Sequence, residues 1–415
     1  MSMESGKTGA LLSLSSVPFI MTLGNSMLIP TLPTLTRQLH VSSFQISLII
    51  TVYSMVAIVL IPVAGYLSDR FGRKMVMIPS LVIAGVGGAV CAVAASFMEQ
   101  SYLYILGGRL LQGIGAAGAA PIVLPLVGDL FQKESDVSAG LGLIETANTF
   151  GKVLSPILGS LLAAVVWYLP FYAIPVLCLV SLLLVGLLVR IPKDRADQKS
   201  QKPYSSFRSF WQAIVDLFRD KARWLIAVFF TGAVCMYAVF AALFYLSNLL
   251  EDTYGIDGVS KGWLLAIPLA ALCLVSFITG KLIGENKPLM KWLTFIGLAI
   301  TCGALICCGL FGEASLGRLL WLLGAMGAGI GAALPSLDAL IIEGIEKEQR
   351  GTVTSLYSSM RFIGVAAGPP VASLFMNASV NWLFYSTSIL GGIAALWTLM
   401  AIRPAQSLKQ KAASR

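Results

Sequence analysis

The sequence predicts an all-α membrane protein whose twelve membrane-spanning helices form two similar six-helix bundles. Three observations lead to this fold class. The chain is 57% hydrophobic and only 12% charged, with a mean hydropathy of +0.83, whereas a soluble domain carries about 25% charged residues. Its apolar residues fall into twelve long segments. Several residues of the first half also recur at nearly constant offsets in the second half.

Each apolar segment is long enough to cross a bilayer, since a span needs about 20 residues. The spans are expected to be helices, because backbone N–H and C=O groups in lipid must be hydrogen-bonded within the segment. No alternating pattern predicts a β-barrel. The predicted spans are 10–32, 44–67, 75–97, 103–127, 138–165, 170–190, 223–248, 262–283, 289–311, 317–343, 352–377 and 382–402.

The placement of basic residues predicts the orientation. With both termini in the cytoplasm, 23 of the 29 Lys and Arg residues lie on the cytoplasmic side, which is the positive-inside bias. The net charge of +9 therefore indicates a multi-pass protein of the plasma membrane that contacts anionic lipid, and not a nucleic-acid-binding protein. The six exceptions are Arg37, Lys261 and Arg318 outside and Arg109, Lys152 and Arg361 within spans.

Two further features narrow the class. The first apolar segment has no convincing cleavage site, so we expect it to be a retained span and not a signal peptide. The seven cysteines are scattered and mostly lie inside spans, which predicts neither a disulfide framework nor a metal site.

Residues 191–222 interrupt the apolar pattern and divide the chain into 1–190, this linker and 223–415, the last ending in a cytoplasmic tail. The linker begins with a charged, polar stretch typical of solvated chain. Its end carries apolar residues at helical spacing from Phe207 to Phe218, which predicts an amphipathic helix on the cytoplasmic face. An early extension of the seventh span fits the same pattern.

The two halves resemble repeats. Arg109-Leu-Leu opens span 4 and Arg318-Leu-Leu opens span 10, 209 residues later; the same offset separates Asp129 from Asp338. The Ser-Pro pair at Pro156 matches the Gly-Pro pair at Pro369 with an offset of 213. Near-constant offsets predict a duplicated transporter with its binding site between the halves.

A tight basic turn joins spans 2 and 3. Its sequence, Gly65-Tyr-Leu-Ser-Asp-Arg-Phe-Gly-Arg-Lys74, places two glycines and four charges where hydrocarbon gives way to water. It resembles the signature loop GxLaDrxGrk of the major facilitator superfamily. The resemblance implies a cytoplasmic gate in which Asp69, Arg70, Arg73 and Asp129 hold the two bundles together, with Gly65, Gly72 and Lys74 completing the turn. A loop held inside by positive charge alone is the alternative.

The second copy of this turn, Gly280-Lys-Leu-Ile-Gly-Glu-Asn-Lys-Pro288, lacks the Asp-Arg pair. We therefore expect an asymmetric cytoplasmic gate.

Span 4 carries a buried cation. Arg109-Leu-Leu-Gln-Gly-Ile-Gly-Ala-Ala-Gly-Ala-Ala120 is similar to the span-4 motif RxxqGxgaa of the same superfamily. A charge about 9 Å into a span is costly and usually faces a cavity or a partner. We assign Gln112, three residues later in the same motif, to the same site. A snorkelling residue that anchors the outer end is the alternative. The embedded GxGxxG does not follow a strand, so it does not predict a nucleotide site.

Span 5 places Glu145 and Lys152 on one helix face, about 10 Å apart along the axis. Gly151-Lys-Val-Leu-Ser-Pro-Ile-Leu-Gly-Ser160 resembles the antiporter motif gxxxGPxxGG, with serine at 155 and 160 where the family has glycine. The resemblance implies export. The residues that match the motif or its span-11 copy are Gly151, Pro156, Gly159, Gly364, Gly368 and Pro369. A structural bond from Glu145 and Lys152 to other helices is the alternative reading.

The predicted substrate cavity and proton-coupling set comprises Asn25, Arg109, Gln112, Glu145, Lys152 and Arg361. Three cations against Glu145 give a surplus of +2 if all are ionised, which favours neutral, zwitterionic or anionic amphiphiles. For Arg361 a purely structural role is an equal alternative. The only histidine, His40, lies in an outer loop, so Glu145 is the best proton carrier, with Asp69 a weaker candidate.

These features predict a secondary transporter resembling the drug–proton antiporter branch of the superfamily. The expected activity is multidrug-type efflux of amphiphiles by alternating access in exchange for protons, by a chain that functions as a monomer. Two alternatives stay open within transport: a dedicated exporter of one metabolite, siderophore or lipid precursor, and a metabolite symporter. A non-transporting receptor or scaffold is the alternative of another class. No phosphate loop, catalytic set, cofactor motif or metal cluster predicts an enzyme.

Overall fold

The computed structural model describes residues 5–130, 134–189, 207–284, 286–311, 315–345 and 347–402. Within these ranges the chain is almost entirely helical and contains no β-strand. The helices are α1 Ser5–Ser26, α2 Leu32–Gln38, α3 Ser43–Phe71, α4 Arg73–Phe97, α5 Tyr102–Leu130, α6 Glu134–Val165, α7 Leu169–Leu188, α8 Phe207–Asp252, α9 Gly258–Ile283, α10 Lys287–Phe311, α11 Leu316–Gly344, α12 Lys347–Ala378 and α13 Val380–Ala401.

Eleven helical segments in the described ranges are long and apolar enough to cross a membrane, which confirms the predicted fold class. Eleven of the twelve predicted spans correspond to these segments, and α12 occupies the position of the remaining one. Its 32 residues extend about 48 Å, ample for a bilayer. Its hydropathy is lower because hydroxyl side chains and two arginines, Arg350 and Arg361, occupy its first half.

The first span is interrupted. Helix α1 ends at Ser26, and a single 3₁₀ turn, Ile29–Thr31, leads into the short helix α2. Prolines at 30 and 33 lack the N–H that a continuous helix would need. Both begin new helical segments, where that N–H has no intrahelical acceptor.

Within each half, glycines bring helices into backbone contact. On α6, a Cβ at Gly151 would meet the carbonyl oxygen of Phe19 on α1, and one at Gly159 would collide with that of Met27, which directly follows α1. Helix α6 continues through Pro156 without a break. The antiporter-like motif is therefore the packing seam between α6 and α1.

The span-11 copy builds the equivalent seam in the second half. On α12, a Cβ at Gly364 would collide with the carbonyl oxygen of Ala233, and one at Gly368 would crowd the backbone of Phe240 and Ala241, all on α8. The duplicated pattern thus has a duplicated physical role. Each copy locks two helices of its own half together.

Two helix pairs join the halves, α3 with α12 and α6 with α9. Thr51 on α3 donates to the carbonyl oxygen of Ala366 on α12 at 2.7 Å. On α9, a Cβ at Gly262 would meet the carbonyl oxygen of Pro156 on α6. These two seams are the largest helix-to-helix contacts between the halves.

Helix α8 is continuous from Phe207 to Asp252. The apolar residues that predicted an amphipathic helix thus extend span 7, and the predicted boundary at residue 222 falls inside this helix. Ile214 is buried against Tyr66 of α3. Residues 190–206 lie outside the described residues, so the division into three units stays a prediction.

An ionic clasp joins the halves at the end of the molecule opposite the basic turn. It consists of Arg37 on α2, Glu251 on α8 and Lys261 on α9. Glu251 accepts from Arg37 and from Thr34 (3.1 Å) at Oε1, and from Lys261 at Oε2, 2.6 Å away. The side chains of Glu251 and Lys261 are only 7% and 2% exposed. One carboxylate therefore ties an element of the first half to two elements of the second.

Removing the charge of Glu251 is expected to leave Lys261 buried without its counter-ion. Breaking such a pair costs about 3 kcal/mol or more. Glu251→Gln should therefore lower the thermal unfolding midpoint of the purified protein clearly. Asp252→Asn is the matched control, because Asp252 is 60% exposed and lies 3.8 Å from Arg37, where an ion pair contributes under about 1 kcal/mol. Equal midpoints for the two variants would contradict a stabilising clasp.

Candidate functional site

A central cavity of ≈ 180 Å³ lies between the halves. Helices α1, α3, α5 and α6 line it from the first half, and α8 and α12 from the second. Its polar and aromatic lining residues are Thr22, Asn25, Ser26, Tyr53, Glu145, Asn148, Lys152, Phe240, Ser358, Arg361 and Phe362. Four predicted site residues, Asn25, Glu145, Lys152 and Arg361, thus come together.

A second opening, the lateral cleft, measures ≈ 630 Å³ and lies between α6, α9 and α11. Glu145 and Lys152 line both the cleft and the central cavity. The cleft walls are otherwise largely apolar, with Phe150 on α6 and Leu274 and Phe277 on α9. The two openings therefore share the charged face of α6.

Glu145 is held by its own helix. Its carboxylate accepts from the side-chain amide of Asn148 at 3.3 Å, and the hydroxyl of Thr149 donates to the backbone carbonyl oxygen of Glu145 at 2.8 Å. Asn148 in turn accepts from Thr22 of α1 at 2.5 Å. This chain of hydrogen bonds fixes the carboxylate while leaving its side chain exposed to the cavity.

Lys152 and Arg361 differ in their pairing. Arg361 lies 3.6 Å from the carboxylate of Asp338 on α11, and its guanidinium lies 5.6 Å from the ring centre of Tyr357. Among the described residues, no carboxylate lies within ion-pair distance of Lys152. Lys152 is therefore a cation that a substrate in the cavity can engage directly.

Asp338 was absent from the predicted site, although the sequence carried a signal for it. It is the repeat partner of Asp129, a residue that the basic-turn resemblance had already singled out. With Asp338 included, the charged groups that line the two openings are Glu145, Lys152, Asp338 and Arg361, together with Lys281 at the cleft.

Arg109 is fully buried and does not line the cavity. Its guanidinium donates to Asn25 and Gln112 at 2.5 Å each and to the carbonyl oxygen of Ile49 at 2.9 Å, and it lies 4.5 Å from the ring centre of Tyr53. Neutral acceptors and an aromatic face thus replace water around the charge. The snorkelling alternative is wrong.

Arg109 and Gln112 form a layer behind the cavity wall. They position Asn25 and Tyr53, which belong to that wall. The predicted surplus of +2 also needs correction. With Arg109 sealed away, the four ionic groups nearest the centre (Glu145, Lys152, Asp338 and Arg361) have no formal net charge.

The basic turn has a defined internal geometry. Arg73 pairs with Asp69 at 2.5 Å and donates to the hydroxyl of Ser68 at 2.8 Å. Gly72 has φ 106°, a conformation that side chains rarely adopt, so the turn requires glycine there. Gly65 lies against the hydroxyl of Ser355 on α12, in the other half.

Arg70 and Lys74 lie on the rim of this turn. Arg70 donates to the hydroxyl of Tyr66 at 3.3 Å. Lys74 donates to the carbonyl oxygens of Gly186 and Val189 at 3.0 and 2.7 Å, which caps the end of α7. Asp129 lies in α5, and its side chain is outside the described residues, so its part in the gate stays a prediction.

The chain matches a known family and several known proteins. The family model described as Major Facilitator Superfamily matches residues 14–315 and 289–415. The chain is 54% identical to the Bacillibactin exporter of Bacillus subtilis (strain 168), over 94% of this chain and 95% of that protein. It is 27% identical to the class C tetracycline resistance protein of Escherichia coli, over 92% of this chain and 93% of that protein.

Solved structures share the fold at low identity. A D-xylose–proton symporter superposes with a TM-score of 0.78 at 14% identity, over 96% of this chain and 98% of that one. The human organic anion transporter MFSD10 superposes with a TM-score of 0.69 at 18% identity, over 95% of this chain and 100% of that one. These likenesses concern the fold alone.

Replacing Arg109 with lysine should destabilise the protein, because one ammonium group cannot reach three acceptors that a planar guanidinium satisfies together. We expect a loss of about 2 kcal/mol or more, since buried acceptors lose their charged partner. Arg318→Lys is the matched control: Arg318 is the repeat partner and is exposed. Thermal unfolding of both purified variants tests this, and similar midpoints would mean that the buried network contributes little.

Proposed function

We propose that this chain, which belongs to the major facilitator superfamily, is a secondary transporter that exports a siderophore of the bacillibactin type across the plasma membrane. The observation that carries the proposal is the 54% identity to the Bacillibactin exporter over nearly the full length of both proteins. Relatives named for multidrug or tetracycline resistance are 24–28% identical. Dedicated export is therefore favoured over the multidrug efflux that the sequence alone suggested.

The central cavity fits an amphiphile with anionic or hydrogen-bond-accepting groups. Lys152 supplies a cation without a carboxylate beside it in the described structure, and Asn25 and Ser358 supply further polar groups. Tyr53 and Phe362, with ring centres 6.3 Å apart, offer an aromatic wall against which a flat apolar group can pack. Polar recognition and apolar packing are thus available in one cavity.

We place the basic turn in the cytoplasm, together with both termini, on the basis of the positive-inside bias. The structure is then closed on the outer side by the clasp of Arg37, Glu251 and Lys261, and the lateral cleft faces the cytoplasmic half. In this state substrate enters from the cytoplasm or inner leaflet. Rocking of the halves about the α3–α12 and α6–α9 seams releases it outside. One chain contains the whole cavity, so a monomer suffices.

Proton exchange would drive this cycle. Moving one charge through the membrane potential yields about 2.3 kcal/mol per 100 mV. Glu145 is the candidate carrier, because its carboxylate lines the same cavity as Lys152 and accepts a hydrogen bond from Asn148. Substrate bound at Lys152 lies within reach of the same carboxylate.

The central test is secretion. In a Bacillus subtilis strain that lacks its Bacillibactin exporter, expression of this chain should restore bacillibactin in the medium, as measured by mass spectrometry. Lys152→Gln should lower secretion about tenfold, since it removes the cavity cation that has no carboxylate within ion-pair distance in the described structure. Lys291→Gln, on α10 and remote from the cavity, should secrete normally. Resistance to tetracycline and unrelated amphiphiles without bacillibactin secretion would replace this proposal with polyspecific efflux.

Coupling is tested separately in liposomes that contain the purified protein and an internal pH dye. Adding bacillibactin should move protons through the parent protein, and Glu145→Gln should reduce this movement about tenfold while substrate exchange continues. Glu99→Gln, an exposed position in the turn between α4 and α5, is the control. Undiminished proton movement in Glu145→Gln would remove Glu145 from the coupling role.

A further inference from the structure

One ion pair lies between the two openings and has no part yet in the transport scheme. Arg361 lines the central cavity and Asp338 lines the lateral cleft. The pair that joins them, at 3.6 Å, therefore forms part of the partition between the two spaces. A substrate that moves from the cleft into the cavity passes this pair.

The pair is loose and accessible. A charge-assisted hydrogen bond between a guanidinium and a carboxylate measures about 2.7–2.9 Å, so 3.6 Å is a longer contact. The side chains of Arg361 and Asp338 are 18% and 32% exposed. By comparison, Lys261 and Glu251 of the clasp lie 2.6 Å apart and are almost fully buried. Asp338–Arg361 is thus the ion pair that a ligand in the cavity can reach and separate.

The residues around the Asp338–Arg361 pair determine which ligand charge it favours. Glu145 and Lys152 face it from α6, and Tyr357 stacks beneath Arg361. An anionic or acceptor group that arrives from the cleft meets Lys152 and then competes with Asp338 for Arg361. A cationic group can instead pair with Glu145 or Asp338, which line the cleft, but its advance toward Arg361 is repulsive.

We propose that Asp338 is a specificity-determining residue that pairs with Arg361 until an anionic or acceptor group of the substrate displaces it. This inference rests on the proposed export function and extends it. Asp338 acts as a built-in competitor: only ligands that bind the guanidinium better than this carboxylate does are held. Its role is to position Arg361, and the substrate contact is made by Arg361.

Removing the charge of Asp338 should strengthen substrate binding. Asp338→Asn keeps the shape of the side chain and removes the competitor, so bacillibactin should bind the purified protein more tightly, on the order of tenfold. The maximal rate of export should fall, because release now requires leaving an unpaired guanidinium. A merely structural role for Asp338 would lower the rate without tightening binding. Asp216→Asn, exposed on α8, is the control and should change neither value.

A double-mutant cycle separates competition from a general field effect. If Asp338 acts through Arg361, the variant Asp338→Asn/Arg361→Gln should bind bacillibactin no more tightly than Arg361→Gln alone. Tightening that persists without Arg361 would overturn the proposal, as would unchanged or weaker binding in Asp338→Asn. Should Asp338→Asn fail to fold, Asp338→Glu provides the opposite test. Its longer arm can close the 3.6 Å gap and should weaken substrate binding.

Failure of the export proposal can be told apart from failure of this one. If the parent protein does not bind bacillibactin, salicylate serves as a simple anionic aromatic probe and tetraphenylphosphonium as a cationic one. Asp338→Asn should tighten salicylate binding and leave tetraphenylphosphonium unimproved. Equal tightening of both probes, or binding of neither to any variant, would rule out a competitor role for Asp338.

Discussion

The cost of placing a charge in hydrocarbon governs the interior of this protein. An unpaired ion inside a bilayer is expensive, so each embedded charge needs a partner, a shell of dipoles or a water-filled space. The chain uses all three solutions. Arg109 is enclosed by neutral oxygens and an aromatic ring, Lys261 is paired with a buried carboxylate, and Lys152 opens onto the cavity. These solutions divide the charges into fixed ones and ones that a substrate can engage.

Helix packing also differs within the halves and between them. Glycine seams between α1 and α6 and between α8 and α12 bring main chains so close that a methyl group would collide. Such seams make rigid pairs inside each half. Contacts between the halves are fewer and are concentrated on α3–α12, α6–α9 and the clasp around Glu251. A molecule that is stiff within its halves and separable between them is suited to rocking.

The two halves match each other at their glycine seams and differ at their charged sites. Arg109 is buried behind the cavity, whereas its repeat partner Arg318 is exposed. The basic turn pairs Asp69 with Arg73, and its degraded second copy at residues 280–288 lacks that pair. Packing motifs survive because both halves need rigid helix pairs. The charged residues take no part in these glycine contacts, so the two halves can differ at them.

The sequence by itself determined the spans, the embedded cations and the glycine motifs, because hydropathy and small-residue spacing are local properties of the chain. It also brought Glu145 and Lys152 to one helix face, since a seven-residue spacing is close to two turns. Only the tertiary structure decided that Arg109 is sealed behind Asn25 and Tyr53, while Arg361 meets Asp338 at the partition of two openings. Those contacts depend on which helices pack together. No local pattern in the sequence indicates the distance between side chains that lie far apart along the chain.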